Sequence, residues 1–132
     1  MTHVVVAIIV KRNPTPSYLL VSSRKDFGEH TGYYYPPAGH VEDGEDEESA
    51  LSREVIEELG VNIVSVKKII DTEGDIANQK TSWYLCEVDS YEFMIDYEEL
   101  YDVGFFTEED MKTMKIWPAT KNVFETYVLY NN

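Results

Sequence analysis

Val4 to Val10 is an unbroken apolar run, β-branched except for Ala7, and it predicts a buried strand. Lys11, Arg12, Asn13, Pro14 and Pro16 end it in a turn. Tyr18 to Ser22 returns as a second strand, so the two read as a hairpin with a long loop. Asp26 to Gly32 is polar and broken by two glycines, hence a loop. Tyr33, Tyr34 and Tyr35 give a short aromatic strand. Pro36 and Pro37 interrupt any ladder and make the entry to Ala38, Gly39 and His40 a rigid loop.

A helix follows the Asp43-Gly44 turn. It is expected to start within Glu45 to Glu48 with Asp46 as N-cap, and to stop at Gly60. On a 3.6-residue period Leu51, Val55, Ile56 and Leu59 share one arc, which packs against a sheet. Glu54, Glu57 and Glu58 fall on the opposite side, as does Ala50, whose small side chain leaves room there. Asn62 to Ile70 reads as a strand, Asp71 to Asn78 as a polar loop, and Lys80 to Val88 as a central strand rich in bulky residues. Asp89 to Tyr101 is an acidic, mobile stretch, and Val103 to Phe106 a short strand. Thr107 caps a short helix over Glu108 to Met114. Trp117 to Tyr130 forms the last helix, with Pro118 in its first turn and Val123, Tyr127 and Tyr130 on its apolar face beside Phe124. The order gives a mixed α/β chain, a mixed sheet between helices, in one domain over residues 1–132.

Charge narrows the function. The formal net charge of the 132 residues is -14, which opposes binding to a nucleic acid polymer. It leaves small anionic substrates open, provided a cation neutralises part of the site. Cys86 is the only cysteine, lies in an apolar alternating segment and reads as a core residue. The first ten residues have no basic region or cleavage pattern and are too short to span a bilayer, so a cytoplasmic protein without membrane contact is expected.

Three carboxylates on one helical turn are costly unless something positive binds them. A solvated acidic face is the ordinary reading of paired glutamates. Here the carboxylates follow a proline-stiffened loop and face away from the apolar arc. Oxygen-only ligands of this kind suit Mg2+ or Mn2+ rather than Zn2+. Such an ion screens the chain's charge from a phosphorylated substrate and lowers the pKa of an attacking water. Arg53, four residues before Glu57, is placed to hold its carboxylate. Ser49 and Ser52 have no nearby histidine base in the sequence. His30 reads as an exposed loop residue, since no His/Cys ligand spacing accompanies it. Arg24 is either a solvated strand end or a contact for a substrate phosphate. Tyr34 and Tyr35 either pack or stack a nucleobase.

The stretch GHVEDGEDEESALSREVIEELGV, Gly39 to Val61, resembles the signature of the Nudix (MutT-like) hydrolases. Gly39, Glu45, Arg53, Glu54, Val55, Glu57, Glu58, Gly60 and Val61 meet its fixed positions. The one departure just before it is Ala38 where Pro-Gly-Gly is common. The resemblance implies an α/β/α sandwich around a mixed sheet, with the motif as loop–helix–loop. It also implies Mg2+- or Mn2+-dependent hydrolysis of a nucleoside diphosphate linked to another group. By resemblance Glu54, Glu57 and Glu58 bind the cation, the backbone at Gly39 adds a carbonyl, Arg53 orients Glu57 and Glu45 supports the site. The general base is a glutamate of the motif helix or comes from a later loop, where Glu98 and Glu99 are the candidates for base or metal ligand. A nucleoside triphosphate cleaved to monophosphate and pyrophosphate is the first substrate expectation. An ADP-ribose or dinucleotide substrate is the second, and an inactive nucleotide-binding module the third. A homodimer is expected on general grounds.

Overall fold

The computed structural model describes residues 1–73 and 76–129. These fall into two compact units: Met1–Ile9 with Pro37–Ile95, and Val10–Pro36 with the chain from Asp96 onward.

The first unit is a mixed sheet carrying the motif helix. Strand β1 (Thr2–Lys11) pairs in parallel with β6 (Gln79–Val88) from Thr2↔Gln79 to Ile9↔Cys86. β6 pairs antiparallel on its other side with β5 (Ile63–Thr72), which makes β6 central as expected. Val4 to Val10 are all buried, the pattern of a strand covered on both faces. Cys86 is a core residue whose thiol burial pushes up to about 12. β5 continues two residues past the expected Ile70 and is exposed along much of its length. Gly74 and Asp75, in the expected loop after it, lie outside the described residues.

Ala38, Gly39 and His40 form a strand, β4, and not the expected rigid loop. They pair with β1 at Val6, Val5 and Val4, and Ala7 N–H donates to Pro37 O at 2.9 Å. The double proline does break pairing, but only between β3 (Tyr34–Tyr35) and β4. The free edge offered by the unbroken apolar β1 recaptures the chain directly after it.

Helix α1 (Glu47–Leu59) follows. Asp46 caps it by accepting from Ser49 N–H, and Gly60 ends it in the left-handed region at φ 71° with its N–H donating to Ile56 O. Its buried face is Ala50, Leu51, Val55 and Leu59. Two expectations are corrected here. Ile56 is 51% exposed and Ala50 is fully buried. The buried stripe is therefore turned by about one residue, and Ala50 fills core rather than leaving space beside the glutamates.

In the second unit the end of β1 pairs with β2 (Ser17–Ser23) at Val10↔Tyr18, and β2 pairs with β3 and with β7 (Leu100–Thr107). Thr107 caps α2 (Glu108–Met111) through a reciprocal box with Asp110. α3 (Pro118–Val123) passes into a π-type turn over Phe124–Val128, in which Leu129 N–H donates to Phe124 O. This wider turn shifts the phase of the apolar face. Val123, Phe124 and Val128 are buried, whereas Tyr127 is only half-buried. Tyr130, the last residue of the expected face, lies outside the described residues. His30, read as exposed, is instead part-buried and stacks on Trp117 at 4.7 Å between ring centroids. Among the described residues no helix is long and apolar enough to cross a membrane.

Candidate active site

The motif helix holds an ionic cluster centred on Arg53. Its Nε and Nη2 donate to Glu45 Oε2 and Oε1 at 2.8 and 3.0 Å. Its Nη1 donates to Glu54 Oε1 at 2.9 Å and, more weakly, to Glu57 Oε2 at 3.3 Å. Nη2 also donates to His40 O at 2.8 Å, and Glu42 stands 3.7 Å from Nη1. One guanidinium thus ties the loop before α1, the helix itself and the end of β4 together, as its planar fork of five donors allows. Hydrogen bonding to Arg53 and to the Glu42 N–H holds the Glu45 carboxyl down at about 2. Hydrogen bonding to Glu45 and then to Glu54 raises Arg53 above its ordinary value.

Glu54 lies against Gly39. A Cβ built on Gly39 would fall inside the Glu54 side chain, at Cδ, Cγ and Oε1. Glycine is needed here for close approach, since Gly39 has no positive φ. Glu54 and Glu57 therefore share Arg53, Glu57 is the more exposed of the two, and Glu58 is half-buried on the same helix. Among the described residues no three His, Cys, Asp or Glu side chains converge closely enough to hold a metal ion as they stand. The donor chemistry nevertheless fits a hard divalent cation. It offers carboxylate oxygens only, over a strand whose missing Cβ leaves one of those carboxylates against bare backbone.

The remaining expected residues lie in the second unit. Tyr34 donates from its hydroxyl to Asp102 Oδ2 at 2.6 Å, and its ring meets Phe106 edge-on at 5.5 Å. Burial and then Asp102 push the Tyr34 phenol up to about 12. Tyr35 sits in β3 opposite Val21. Arg24 donates from Nε to Tyr97 O at 2.7 Å, and its backbone N–H donates to Glu99 O at 3.0 Å. Glu98 and Glu99 are exposed on the turn so held.

A second cluster lies outside the residues expected from the sequence. Glu47, at the start of α1, accepts from Tyr84 Oη at 2.7 Å and Lys68 Nζ at 2.9 Å, with His3 Nε2 at 3.4 Å. Asp71 accepts from Ser82 Oγ at 2.7 Å and pairs with Lys68 at 3.0 Å. The alternation Lys80, Ser82, Tyr84 inside an otherwise apolar strand was the available signal, since it puts three polar groups on one face.

The family model of the NUDIX domain matches residues 1–127, which take in the first unit and most of the second. The chain belongs to the Nudix family. Among curated relatives it is similar to the NAD-capped RNA hydrolase NudC of Citrobacter koseri, with 32% identity over 105 residues, 79% of this chain and 39% of that protein. The same-named protein of Haemophilus influenzae strain PittGG is 30% identical over 101 residues, 76% of this chain and 38% of that protein. The chain thus spans about two-fifths of the length of these relatives. Among solved structures, the MutT NUDIX hydrolase of Burkholderia pseudomallei aligns with a TM-score of 0.80 at 22% identity, covering 94% of this chain and 95% of that one. The NUDIX domain of Shewanella oneidensis NrtR, complexed with ADP ribose, aligns with a TM-score of 0.76 at 16% identity, covering 93% and 83%. These likenesses establish a mixed α/β Nudix fold for the chain.

Proposed function

We propose that this Nudix domain hydrolyses the pyrophosphate linkage of a nucleoside diphosphate derivative in a Mg2+- or Mn2+-dependent reaction. The observation that carries the reading is the Arg53 cluster, which fixes Glu54 against Gly39 and draws Glu57 beside it. Glu54, Glu57, Glu58 and the Gly39 carbonyl would hold the cation. When bound, such an ion polarises a phosphorus–oxygen bond and lowers the pKa of an attacking water. Arg53 orients Glu57 while its stronger bonds to Glu45 and His40 O keep it in place. One of Glu98 and Glu99 accepts the proton from water; this role rests on the family resemblance, and a motif-helix glutamate is the alternative base.

Two substrate shapes divide the class. A nucleoside triphosphate, cleaved to monophosphate and pyrophosphate, is the expectation read from the sequence. The names of the relatives similar over three-quarters of the chain favour a second reading, a dinucleotide of the NAD type. A net charge of -14 repels an RNA body, so the free dinucleotide is preferred over capped RNA. Product analysis over nucleoside triphosphates, ADP-ribose, dinucleotides and nucleotide sugars decides between them. Release of pyrophosphate supports the first reading, and two mononucleotides from a dinucleotide support the second. Tight nucleotide binding without any product over the whole panel would instead make the chain a binding module. Cytoplasmic location and a two-fold homodimer belong to the same reading, and fractionation and light scattering test them.

A further inference from the structure

Arg24 is an exposed arginine that makes two hydrogen bonds to one distant turn. Its Nε–H donates to Tyr97 O at 2.7 Å, and its backbone N–H donates to Glu99 O at 3.0 Å. Its guanidinium lies 5.7 Å from the centroid of the Tyr101 ring. The turn it grips is closed from within by Asp96. Asp96 Oδ1 accepts from Glu98 N–H at 2.9 Å, and Asp96 O accepts from Glu99 and Leu100 N–H at 3.2 and 3.0 Å. Arg24 stands just past the end of β2, where the pairing with β7 shifts register at Ser22/Ser23. Pairing resumes past that irregularity at Ser23↔Leu100, and the Arg24 contacts carry the attachment on to Glu99 and Tyr97.

We propose that Arg24 is a positioning residue that fixes the turn carrying Glu98 and Glu99. The importance of this for turnover rests on the reading in which one of those glutamates is the general base. An exposed glutamate on a five-residue turn samples many orientations. The side chain fastens the Tyr97 carbonyl just before Glu98, beyond the backbone bond to Glu99 O that any residue at position 24 would make, and so restricts that freedom before substrate arrives. The chemistry requires arginine. Lysine supplies charge, but it has no Nε–H in a planar fork and no flat face to lay on Tyr101.

The test compares Arg24→Lys, Arg24→Met and Asp96→Ala, the last loosening the same turn without touching Arg24. Kinetics are read on the best substrate of the panel, and amide exchange is followed by NMR. Positioning predicts that all three lower kcat by roughly tenfold with KM within about twofold. It also predicts faster exchange of the Glu98, Glu99 and Leu100 amides in all three. Recovery of wild-type kcat by Arg24→Lys, with a raised KM in Arg24→Met and unchanged exchange in both, would overturn it, because charge on a substrate phosphate would then explain the residue. Glu98→Gln and Glu99→Gln separate this inference from the reading beneath it. Wild-type kcat in both removes the base assignment, while amide exchange still decides whether Arg24 holds the turn.

Discussion

Arg53 meets Glu45 fork to fork, Nε to Oε2 at 2.8 Å and Nη2 to Oε1 at 3.0 Å, and this is the tightest contact the arginine makes with a carboxylate. Glu57, the partner suggested by helical spacing, lies farther off at 3.3 Å. Glu45 therefore sets where the guanidinium sits, and Glu57 is held by what remains.

Acid should dissolve this pair in a defined window. Glu45 is held at about 2 in the folded chain against an ordinary value of 4.5. A depressed carboxyl contributes stability that is present above its unfolded pKa and lost as pH falls through its folded one. Urea midpoints of the wild type and Glu45→Gln, compared across pH, are expected to differ above about 4.5 and to converge towards about 2. A constant gap across that window would mean that the pair does not titrate with folding.

Gly39→Ala separates position from stability. The atoms nearest the new Cβ belong to the Glu54 side chain, which can rotate away. The fold should lose less than about 1 kcal/mol. If Glu54 is a cation ligand as proposed, displacing its carboxylate should lower turnover by roughly a hundredfold. Thermal unfolding and a rate measurement on the same preparation check both halves.

The second cluster anchors α1 at its other end. Tyr84 is buried, and its phenol is raised by burial and by the Glu47 carboxylate it donates to. Tyr84→Phe keeps the shape and removes that donor, leaving Glu47 with Lys68. The expected cost is about 1 to 2 kcal/mol in urea unfolding. Combined with Lys68→Met the losses should not add, because both side chains serve one carboxylate oxygen.

Tyr34→Phe tests what the Tyr34 ring is for. The hydroxyl is committed to Asp102 at 2.6 Å, so its loss should cost about 1 kcal/mol of stability. The ring face is unchanged, and KM is expected to stay within about twofold of the wild type. A larger rise in KM would give the hydroxyl or Asp102 a direct part in substrate binding.

Local signals in the sequence carried much of this. Asp46 as cap, Gly60 as stop and Thr107 as cap are contacts between residues three or four apart, and they hold in the structure. The arginine–carboxylate pairing along α1 was legible for the same reason. What escaped was decided by distant partners. Ala38 to His40 became a strand because β1 offered an edge, and the fate of Ile56 and Ala50 depended on how α1 rolls on its neighbours. The Glu47 cluster draws on residues 3, 68, 71, 82 and 84, a convergence that no single helical or strand period announces. Arg24 could be read as a cation near a strand end, but the carbonyls it meets lie over seventy positions away.

The proposed function makes the carboxylates beside Arg53 the cation ligands of a metal-dependent pyrophosphohydrolase. The most direct test is turnover of the panel's best substrate by the wild type, Glu57→Gln and Glu58→Gln, each with Mg2+ or Mn2+ and with a chelator, alongside a check of folding. Turnover is expected in the wild type only with metal, with a loss of at least about a hundredfold in both folded variants. Near wild-type turnover in both variants, or undiminished turnover with the chelator present, would contradict it.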